Sequence, residues 1–529
     1  MSSNLAGNYY LANDIDCSAS ASWNNGAGYI SIGDEFNPFT GILDGRNHRI
    51  INLTINNMIH WQTGLFNVAD GATIKNIAFI NITVKGLNGA ASIASSILNT
   101  NISNCYISGN ISAALNAAAF ANTANNSVIT NCYSSASISG DSFSVGGLVG
   151  SATNSTAVHS YWDTETSGQT TSALGEGKTT AEMKKQATFE GWDFANSLWC
   201  IRESVSYPAF CSTMSWNMIS NCTQLQNMGN NLSGNYQLAN DIDCSGVNFT
   251  PIGTSFSNGF TGFLDGKNYS IKNLTVNCYG CWAGLFNITI GASIQNVKLK
   301  NANISSGRVV GSLAAYAHAK TSIYNCSSSG TVTSPQLISS YTDSIAGGLV
   351  AILDGKSTIS NSSSSVNVTA VGDTVAGLVS SVAQASTIAN SYSTGNVVGG
   401  SNNVGGLVGV VGSQSKITDS YSSSSVSAKN NVGGLVGYSH SESSVSSCYA
   451  TGTVTGNSNV GGLEGYVNGT STLSSSYAMG TVNGGSNVGG LVGYLYSGSG
   501  ISDSFSVSSV NGSGSAVGGL VGYARDDAK

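Results

Sequence analysis

Two pairs of aspartates in duplicated stretches of the sequence have a spacing that could support chemistry. Asp14 and Asp16 recur as Asp241 and Asp243. Because side chains two residues apart on a β-strand share a face, the two carboxylates of each pair are expected to point the same way. Such a pair could provide the acid and nucleophile of a glycosidase, or oxygen ligands for calcium. The structural alternative, which we favour, is that these carboxylates accept hydrogen bonds from backbone amides at the first turn.

Basic residues in the same region define the main alternative function. Polysaccharide-cleaving β-helices need a Lys or Arg base beside acidic groups on one face of successive coils. Four basic residues could converge with Asp14 and Asp16: Arg46, Arg49, Lys75 and Lys85. Later in the chain, between Leu349 and Leu520, the basic residues do not recur at a fixed spacing, so they would not line up on one face of successive coils. They are Lys356, Lys416 and Lys429. The alternative is therefore a polysaccharide-active β-helix enzyme, a lyase or glycosidase, with its site in the first module.

The cysteines suggest some disulfides and some buried thiols. The chain has 11 cysteines, so at least one is unpaired or pairs outside the chain. We predict a disulfide between Cys200 and Cys211, which lie in one aromatic-rich segment. Cys105 and Cys132 occupy the same Asn-Cys-Tyr context 27 residues apart, and stacking on adjacent coils would place them about 4.8 Å apart, within disulfide range. Ser fills this position in most repeats, so buried thiols are an equal alternative there.

Asn-x-Ser/Thr triplets are frequent, and they indicate the compartment. In a secreted protein such triplets can accept N-linked glycans on outward-facing surfaces. Together with the cysteines, they favour an extracellular or cell-surface setting. The candidate glycosylation sites are Asn52, Asn81, Asn101, Asn110, Asn154, Asn248, Asn273, Asn303, Asn367, Asn468 and Asn511.

Composition excludes several classes of protein. Of the 529 residues, 41% are hydrophobic and 9% are charged, and the net charge is −7. No basic cluster is available to neutralise a run of phosphates, so nucleic acid is not an expected partner. No run of 18 or more apolar residues is present, so membrane insertion is not expected either. The apolar content is sufficient for a large folded core.

A repeat of 28 or 29 residues dominates the second half of the chain. A Gly-Gly-Leu-Val-Gly motif and its variants place leucines at Leu349, Leu378, Leu407, Leu435, Leu463, Leu491 and Leu520. The residue types favour strands and turns, which excludes helical solenoids, and the period is too short for a propeller blade. The pattern predicts an all-β fold, a parallel β-helix in which each repeat is one coil with these leucines inside. A second strand would contain Ile388, Ile417, Val445, Leu473 and Ile501.

A larger duplication predicts two tandem modules. The segment 7–18 recurs as 234–245, and 39–48 recurs as 260–269. We assign residues 1–160 to β-helix module one, 161–212 to a cap or linker, and 213–529 to module two. In the cap, residues 179–186 predict a short helix with a Thr cap, and the aromatics that follow could cover the apolar end of module one.

The Gly-Gly-Leu-Val-Gly units at 146–150, 405–409, 433–437, 489–493 and 518–522 resemble the GLUG motif. This motif recurs in large bacterial and archaeal surface proteins, filamentous-haemagglutinin-like adhesins and some immunoglobulin A peptidases. The peptidases carry a His-Glu-x-x-His zinc site in a separate domain, and no such motif occurs in this chain. No cofactor is therefore expected, apart from calcium at the aspartate pairs. Glu464 departs from the motif by replacing its Val, which predicts that this position faces outward.

These observations favour a non-catalytic extracellular rod, either a cell-surface adhesin or a subunit of a self-assembling filament. Coils that hydrogen-bond to their neighbours along one axis build a stiff object without using charge. Both ends of the chain look open, which predicts head-to-tail self-association. A glycan or another cell-surface ligand is the other expected partner.

Overall fold

The computed structural model describes residues 1–141, 144–194, 198–278, 280–335, 344–496, 498–525 and 527–529. Over these residues the backbone makes about 17 turns of a parallel β-solenoid, which confirms the predicted fold class. Contacts divide the chain into unit one, Met1–Ser215, and unit two, Trp216–Lys529. The segment predicted as a cap belongs to unit one, because its strands Tyr161–Asp163 and Glu176–Lys178 continue a parallel sheet of that unit.

Unit one is built from short strands that pair in parallel with the preceding and following coil. Its largest sheet contains Asn8–Tyr10, Ile15–Asp16, Ile42–Ile51, Thr54–Asn57, Thr73–Gly86, Asn101–Ala113, Val128–Thr130, Tyr133–Ser134, Ser137–Ser139, Thr156–Val158, Tyr161–Asp163 and Glu176–Lys178. Another sheet contains Phe66–Asp70, Ala94–Leu98, Ala121–Asn125 and Val149–Thr153, and a smaller one contains Gln62–Thr63, Gly89–Ala90 and Asn116–Ala117. Trp199–Cys200 and Ala209–Phe210 form an antiparallel pair.

Unit two repeats the same design with more regular coils. One sheet contains Asn217–Ile219, Asn235–Leu238, Phe263–Asp265, Ser293–Gln295, Ser322–Tyr324, Thr358–Ser360, Thr387–Ala389, Lys416–Thr418, Ser444–Ser446, Thr472–Ser474 and Gly500–Ser502. A second contains Ile242–Asp243, Ser270–Lys272, Thr275–Cys278, Lys298–Ser306, Ser327–Ser334, Ser363–Ala370, Tyr392–Ser393, Val397–Gly399, Tyr421–Ser422, Val426–Ser427, Tyr449–Ala450, Val454–Thr455, Tyr477–Ala478, Thr481–Gly484, Phe505–Ser506 and Ser509–Gly512.

Two further sheets complete the coils of unit two. One contains Phe286–Ile290, Ala314–His318, Val350–Leu353, Val379–Val382, Val408–Val411, Val436–Ser439, Glu464–Val467, Val492–Leu495 and Val521–Ala524. The other contains Val309–Gly311, Ile345–Gly347, Thr374–Ala376, Asn402–Gly405, Asn430–Gly433, Ser458–Gly461, Ser486–Gly489 and Val517–Gly518.

The leucine repeat is one circuit of backbone per period, as predicted. The backbone N–H of each repeat leucine from Leu349 to Leu491 donates to the carbonyl oxygen of the next one, at 2.8–3.1 Å. The side chains of these six leucines are fully buried. The predicted second strand is also in register, because Ile388 pairs with Ile417 and the series continues to Ile501. The apolar side chains therefore stack into continuous columns inside the solenoid.

In each coil the strand that carries Ile388 or its equivalent is followed by a turn, and a residue in the left-handed conformation makes this turn. The alternation of apolar and polar residues in the sequence does not define it. These residues have φ between 47° and 54° and are Asn361, Asn390, Asp419, Ser447, Ser475 and Asp503. Asn and Asp tolerate this conformation better than most non-glycine residues. Glycine is needed where coils approach most closely: a Cβ on Gly434 would lie 2.2 Å from the carbonyl oxygen of Gly462 in the next coil.

Helices are short in both units. The α-helices among the described residues are Thr164–Ser167 and Cys222–Gln226, and the 3-10 helices are Ser18–Gly26, Glu182–Lys184, Gln186–Thr188, Cys211–Thr213 and Asn227–Asn230. The helix predicted over 179–186 is a single 3-10 turn, because Lys185 has an extended backbone that ends it. The predicted Thr cap needs correction, because the residue at the N-cap is Ala181; Thr179 lies two residues earlier, where its N–H and hydroxyl both donate to the Glu182 carboxylate at 2.8 Å.

Most of the aromatic cap packs on a side face of unit one. Tyr106, Tyr133 and Tyr161 stand in line on paired strands of successive coils. They are buried in a cluster with Met183, Phe189, Trp192, Trp199, Ile201 and Phe210. Among the described residues of the cap, Trp162 and Leu174 are the ones that join the inner core with Leu148. The expectation that the aromatics cover the end of the module therefore needs correction, because most of them pack against the row formed by Tyr106, Tyr133 and Tyr161.

Candidate functional site

The carboxylate of Asp14 is bound to one arginine. Asp14 Oδ1 accepts a hydrogen bond from the Arg49 backbone N–H at 2.9 Å, and its Oδ2 accepts from Arg49 Nε and Nη2 at 2.8 and 2.6 Å. His48 Nδ1 lies 3.4 Å from Asp14 Oδ1. Partial burial raises the pKa of Asp14, but the hydrogen bonds and charge of Arg49 outweigh it, and the net pKa is lowered. Asp14 is therefore held as a carboxylate.

Asp16 closes a turn instead of facing a substrate cleft. Its Oδ1 accepts from the backbone N–H of Ser18 at 2.9 Å, from the Ser18 hydroxyl, and from Asn52 Nδ2 at 3.1 Å. The hydrogen bonds from Ser18 lower the pKa of Asp16, with a further contribution from Asn52. The turn therefore engages this carboxylate in the way that the structural alternative predicts.

The second aspartate pair repeats this arrangement in unit two. Asp241 accepts from the Ser270 backbone N–H at 2.8 Å, and Lys272 Nζ lies 2.8 Å from its other oxygen. Asp243 accepts from the N–H and hydroxyl of Ser245 at 2.9 and 2.6 Å and from Asn273 at 2.9 Å. Hydrogen bonds from Ser245 and Asn273 lower the pKa of Asp243 to about 2. A glycosidase acid needs a raised pKa, which is the opposite direction.

The predicted basic residues do not gather around the first pair. Arg49 contacts Asp14, whereas the guanidinium of Arg46 lies 3.5 Å from the ring centroid of Tyr10. Lys75 Nζ lies 3.6 Å from the carboxylate of Asp44, and Lys85 is exposed. Within the described ranges, no group of three or more His, Cys, Asp or Glu side chains is arranged to hold a metal ion. The same part of the chain contains no helix long and apolar enough to cross a membrane.

The cysteines divide into disulfide-bonded and free ones. Disulfides join Cys200 to Cys211, Cys222 to Cys244 and Cys278 to Cys281. The first is the disulfide predicted in the cap.

Cys105 and Cys132 are free and buried, so the structure has buried thiols, one of the two alternatives, and not the disulfide. The backbone N–H of Cys105 donates to Cys132 Sγ at 3.3 Å, and each thiol donates to a carbonyl oxygen two residues earlier at 3.2 Å. Equivalent positions on stacked coils point in the same direction, so the two sulfurs do not face each other as a disulfide requires.

The asparagines of the candidate glycosylation triplets all reach solvent. Eight of the eleven are exposed: Asn81, Asn101, Asn110, Asn154, Asn248, Asn303, Asn367 and Asn511. Asn52, Asn273 and Asn468 are partly buried. Some of these side chains form hydrogen bonds with the equivalent side chain of the neighbouring coil. For example, Asn81 Nδ2 donates to Asn52 Oδ1 at 2.8 Å.

Glu464 faces the core, so the prediction that it faces outward is wrong. It pairs in register with Val436 and Val492, both fully buried, and is itself only 1% exposed. Its carboxylate accepts a hydrogen bond from the Ser439 hydroxyl. Burial raises the pKa of Glu464 to about 7, although the hydrogen bond from Ser439 acts against this. Pairing with both neighbouring coils fixes the face of the strand, and one polar residue cannot reverse it.

Two exposed aromatic residues on equivalent loops of the two units were not predicted from the sequence. Phe36 is 84% exposed and Phe256 is 50% exposed. Each follows an Ile-Gly pair, Ile32-Gly33 or Ile252-Gly253, in the duplicated part of the chain. Comparison of the two modules outside their matching segments could have found them, because a shared aromatic at the tip of a polar loop has no role in the core.

Two family comparisons match parts of the chain. The family described as the M26 IgA1-specific metallo-endopeptidase N-terminal region matches residues 1–109 and 219–330. These ranges contain the duplicated segments of the two units. The GLUG motif matches residues 429–455, within the regular coils of unit two.

Curated relatives align only locally. The chain is 44% identical over 84 residues to halomucin of Haloquadratum walsbyi, which covers 15% of this chain and 1% of that protein. It is 36% identical over 114 residues to the immunoglobulin A1 protease of Streptococcus sanguinis, which covers 21% of this chain and 6% of that protein. The chain therefore matches only a small fraction of the length of these relatives.

A solved structure shows a weaker likeness. A Bacteroides ovatus protein described as a candidate immunoglobulin A1 protease aligns with a TM-score of 0.38 and 26% identity, over 45% of this chain and 74% of that one. Taken together, the chain is a β-solenoid with a GLUG motif in unit two, and parts of both units are similar to the N-terminal region of M26 IgA1-specific metallo-endopeptidases.

Proposed function

We propose that this chain is a non-catalytic extracellular scaffold, a β-solenoid that displays adhesive surfaces. The observation that carries the proposal is the unbroken column of repeat leucines, in which every N–H from Leu349 to Leu491 bonds to the next coil. Such stacking distributes stability along the axis, because each coil contacts only its neighbours. An array of this kind suits a protein that must hold surfaces in place.

The state of the aspartate pairs supports the non-catalytic part. Asp14 and Asp16 are engaged by Arg49, Ser18 and Asn52, and the duplicate pair is engaged in the same manner. A polysaccharide-cleaving enzyme needs a group that gives up or takes a proton near its working pH. The lowered pKa values of all four aspartates do not fit the proton-donating acid of a glycosidase.

The disulfides support an extracellular location. Structural disulfides persist in oxidising compartments and are rare in the reducing cytosol. The Cys200–Cys211 and Cys222–Cys244 bonds have Cα–Cα distances of 5.0 and 5.2 Å, within the usual range. The matching GLUG motif supports the same setting, as the resemblance to surface proteins implies.

We also propose that copies associate head to tail. Strands of unit two pair in parallel with the coils beside them, as Val488 pairs with Val517 and Val492 with Val521. Copies that meet at such strand edges would continue the same sheets. Contacts of this heterologous kind propagate into fibres.

The test combines activity and assembly measurements on the purified chain. Incubation with uronate and neutral polysaccharides and with immunoglobulin A1 should leave every substrate intact by mass spectrometry and gel analysis. Cleavage that persists in purified protein and disappears in an Asp14→Asn/Asp16→Asn variant would overturn the non-catalytic proposal.

Electron microscopy should show end-to-end assemblies that lengthen with concentration. A chain that sediments as a monomer at high concentration would overturn the head-to-tail part.

A further inference from the structure

A polar loop in unit two presents an aromatic ring beside a small cavity. The loop follows Ile252 and carries Phe256 near its tip. It is closed by hydrogen bonds from the Thr254 N–H to the Asn258 carbonyl at 2.9 Å and from Asn258 Nδ2 to Thr254 Oγ1 at 3.0 Å. The adjoining cavity has a volume of about 350 Å³, and its lining includes Thr254, Ser255, Phe256, Trp282, Asn287 and Arg308.

Contacts with two other aromatic rings, Trp282 and Tyr316, fix the orientation of the Phe256 ring at the cavity. The rings of Trp282 and Tyr316 are stacked at 5.5 Å between centroids, with planes 14° apart. Phe256 stands perpendicular to both, at 6.0 Å from Trp282 and 5.2 Å from Tyr316. Edge-to-face contacts of this kind are favourable and directional. Half of Phe256 remains exposed, so this packing fixes a flat apolar surface in contact with solvent.

A buried carboxylate orients the rings below Phe256. Asp354 is only 4% exposed. It accepts a hydrogen bond from the Tyr316 hydroxyl at 2.6 Å, and its other oxygen lies 2.5 Å from His318 Nδ1. Because these partners engage both of its oxygens, Asp354 is best explained as a positioning residue for the aromatic rings.

Unit one contains a loop attached to its solenoid in the same way. The N–H of Ile32 donates to Leu65 at 3.0 Å, as that of Ile252 donates to Leu285 at 2.9 Å. The glycine after each of these isoleucines has a positive φ, 72° at Gly33 and 80° at Gly253. The loop then carries Phe36 near its tip, as its counterpart carries Phe256. The duplication has therefore preserved the loop anchors outside the regular coils.

The loop of unit one also borders a cavity and carries exposed apolar side chains. The cavity has a volume of about 470 Å³, and its lining includes Ser31, Asp34, Asn37, Asn57, His60 and Asn67. Four large apolar side chains in or next to the lining segments are mostly exposed: Ile30 (70%), Phe36 (84%), Ile59 (83%) and Trp61 (72%). Exposed apolar groups concentrated in this way mark binding surfaces.

Each cavity has an amide oxygen without a hydrogen-bond partner. Asn67 and Asn287 are equivalent residues of the duplication, and the backbone N–H of each donates to the isoleucine at the base of the loop. Asn67 Oδ1 and Asn287 Oδ1 are buried and accept no hydrogen bond from the described residues. Buried polar atoms are nearly always satisfied. Both oxygens have almost no solvent-accessible area, so a ligand would bond to them after the Asn side chain turns toward the cavity that it lines.

We propose that these two cavities are glycan-binding sites, one in each unit. The flat apolar face of Phe256 would pack against the C–H face of a pyranose ring, and the hydroxyl and amide groups around it would bond the sugar hydroxyls. The cavity volumes suit one or two sugar rings. A lipid surface is less suited, because the exposed aromatic of unit one lies beside Asp34 and Glu35, which an anionic bilayer would repel. This inference rests on the proposed adhesive scaffold and gives its ligand class.

Calorimetry on the full chain with soluble oligosaccharides tests the proposal. The probes are chitotetraose, cellotetraose, mannotetraose, lacto-N-tetraose and sialyllactose. At least one of them should bind with two sites per chain. Phe256→Ser should remove the site in unit two, and Phe36→Ser should remove the site in unit one. In both cases the stoichiometry falls from two to one, and the double variant should lose binding at least 10-fold.

Controls separate the site from the fold and from the scaffold proposal. Phe505 is 54% exposed but lies away from either loop, so Phe505→Ser should bind like the parent chain. Asn67→Ala and Asn287→Ala should each weaken one site while the thermal unfolding curve stays within a few degrees of the parent. No binding of any probe, or binding that both loop variants retain, would overturn the glycan proposal. Hydrolysis of a bound probe would instead overturn the non-catalytic scaffold and leave the sites standing.

Discussion

The carboxylate of Glu464 accepts a hydrogen bond from the hydroxyl of Ser439 inside the core of unit two. Its other oxygen has no partner among the described residues. Burial raises the pKa of Glu464 from 4.5 to about 7. Because the folded pKa lies above the unfolded value, the protonated form stabilises the fold. This contribution is complete below about pH 4.5 and is lost as the pH rises through about 7, at a cost of about 3 kcal/mol.

Replacement of Glu464 by Gln should abolish this pH dependence. The amide stays neutral at every pH, so Glu464→Gln should unfold near the same temperature as the parent at pH 4.5 and about 5 °C higher at pH 8. Differential scanning calorimetry of both proteins over this range checks the prediction, and comparison of the pair cancels the other titrating groups. An equal difference between the two proteins at both pH values would contradict it.

A ladder of asparagine side chains along unit two should contribute to stability. Asn459 has φ of 53°, its Nδ2 donates to Asn431 Oδ1 at 2.7 Å, and its Oδ1 accepts from Asn487 at 2.8 Å. Asn459→Ala loses both hydrogen bonds and strains the left-handed backbone, so we expect a loss of about 2–3 kcal/mol. Asn459→Gly removes the strain and should lose only about 1–2 kcal/mol. Denaturant unfolding that gives equal losses for the two variants would exclude the backbone contribution.

The tyrosines of the two units should differ in their contribution to stability. Tyr133 in unit one is 3% exposed and its hydroxyl donates to the Pro208 carbonyl at 2.7 Å. Tyr449 occupies the corresponding position in unit two, stacks on Tyr421 at 4.8 Å and remains partly exposed. Tyr133→Ala should cost about 3–5 kcal/mol, and Tyr449→Ala about 1 kcal/mol. Thermal or chemical unfolding of both variants measures this, and similar losses would mean that the cap adds little to unit one.

The free thiols should be protected in the native state. Cys105, Cys132, Cys326 and Cys448 are buried, and Cys17 is partly buried. Burial raises the pKa of Cys326 and of Cys448 to about 12, and it raises the pKa of Cys132 well above its ordinary value. Because the thiolate is the reactive form, a thiol reagent at pH 8 should label at most Cys17 in the folded chain. It should label five cysteines after denaturation without reductant. Labelling of two or more thiols in the native protein would contradict the burial.

The repeat made much of the solenoid predictable from sequence. A period of 28 or 29 residues places each residue beside its own counterpart, so one register explains the leucine column and the strand from Ile388 to Ile501. The expectation that the aspartates accept hydrogen bonds from backbone amides came from their residue type and spacing and not from the repeat. The repeat also placed Cys105 and Cys132 on adjacent coils, although it could not decide whether their sulfurs face each other.

The sequence by itself therefore determined which residues stack, because neighbours in a solenoid are set by a local period. Only the tertiary structure decided which way particular side chains point and what covers them. Strand pairing on both sides turns Glu464 inward, and the segment after Trp162 folds back over the tyrosines of unit one. The cavities lined by Asn67 and by Phe256 arise where loops from different coils meet, and no local pattern specifies such a meeting.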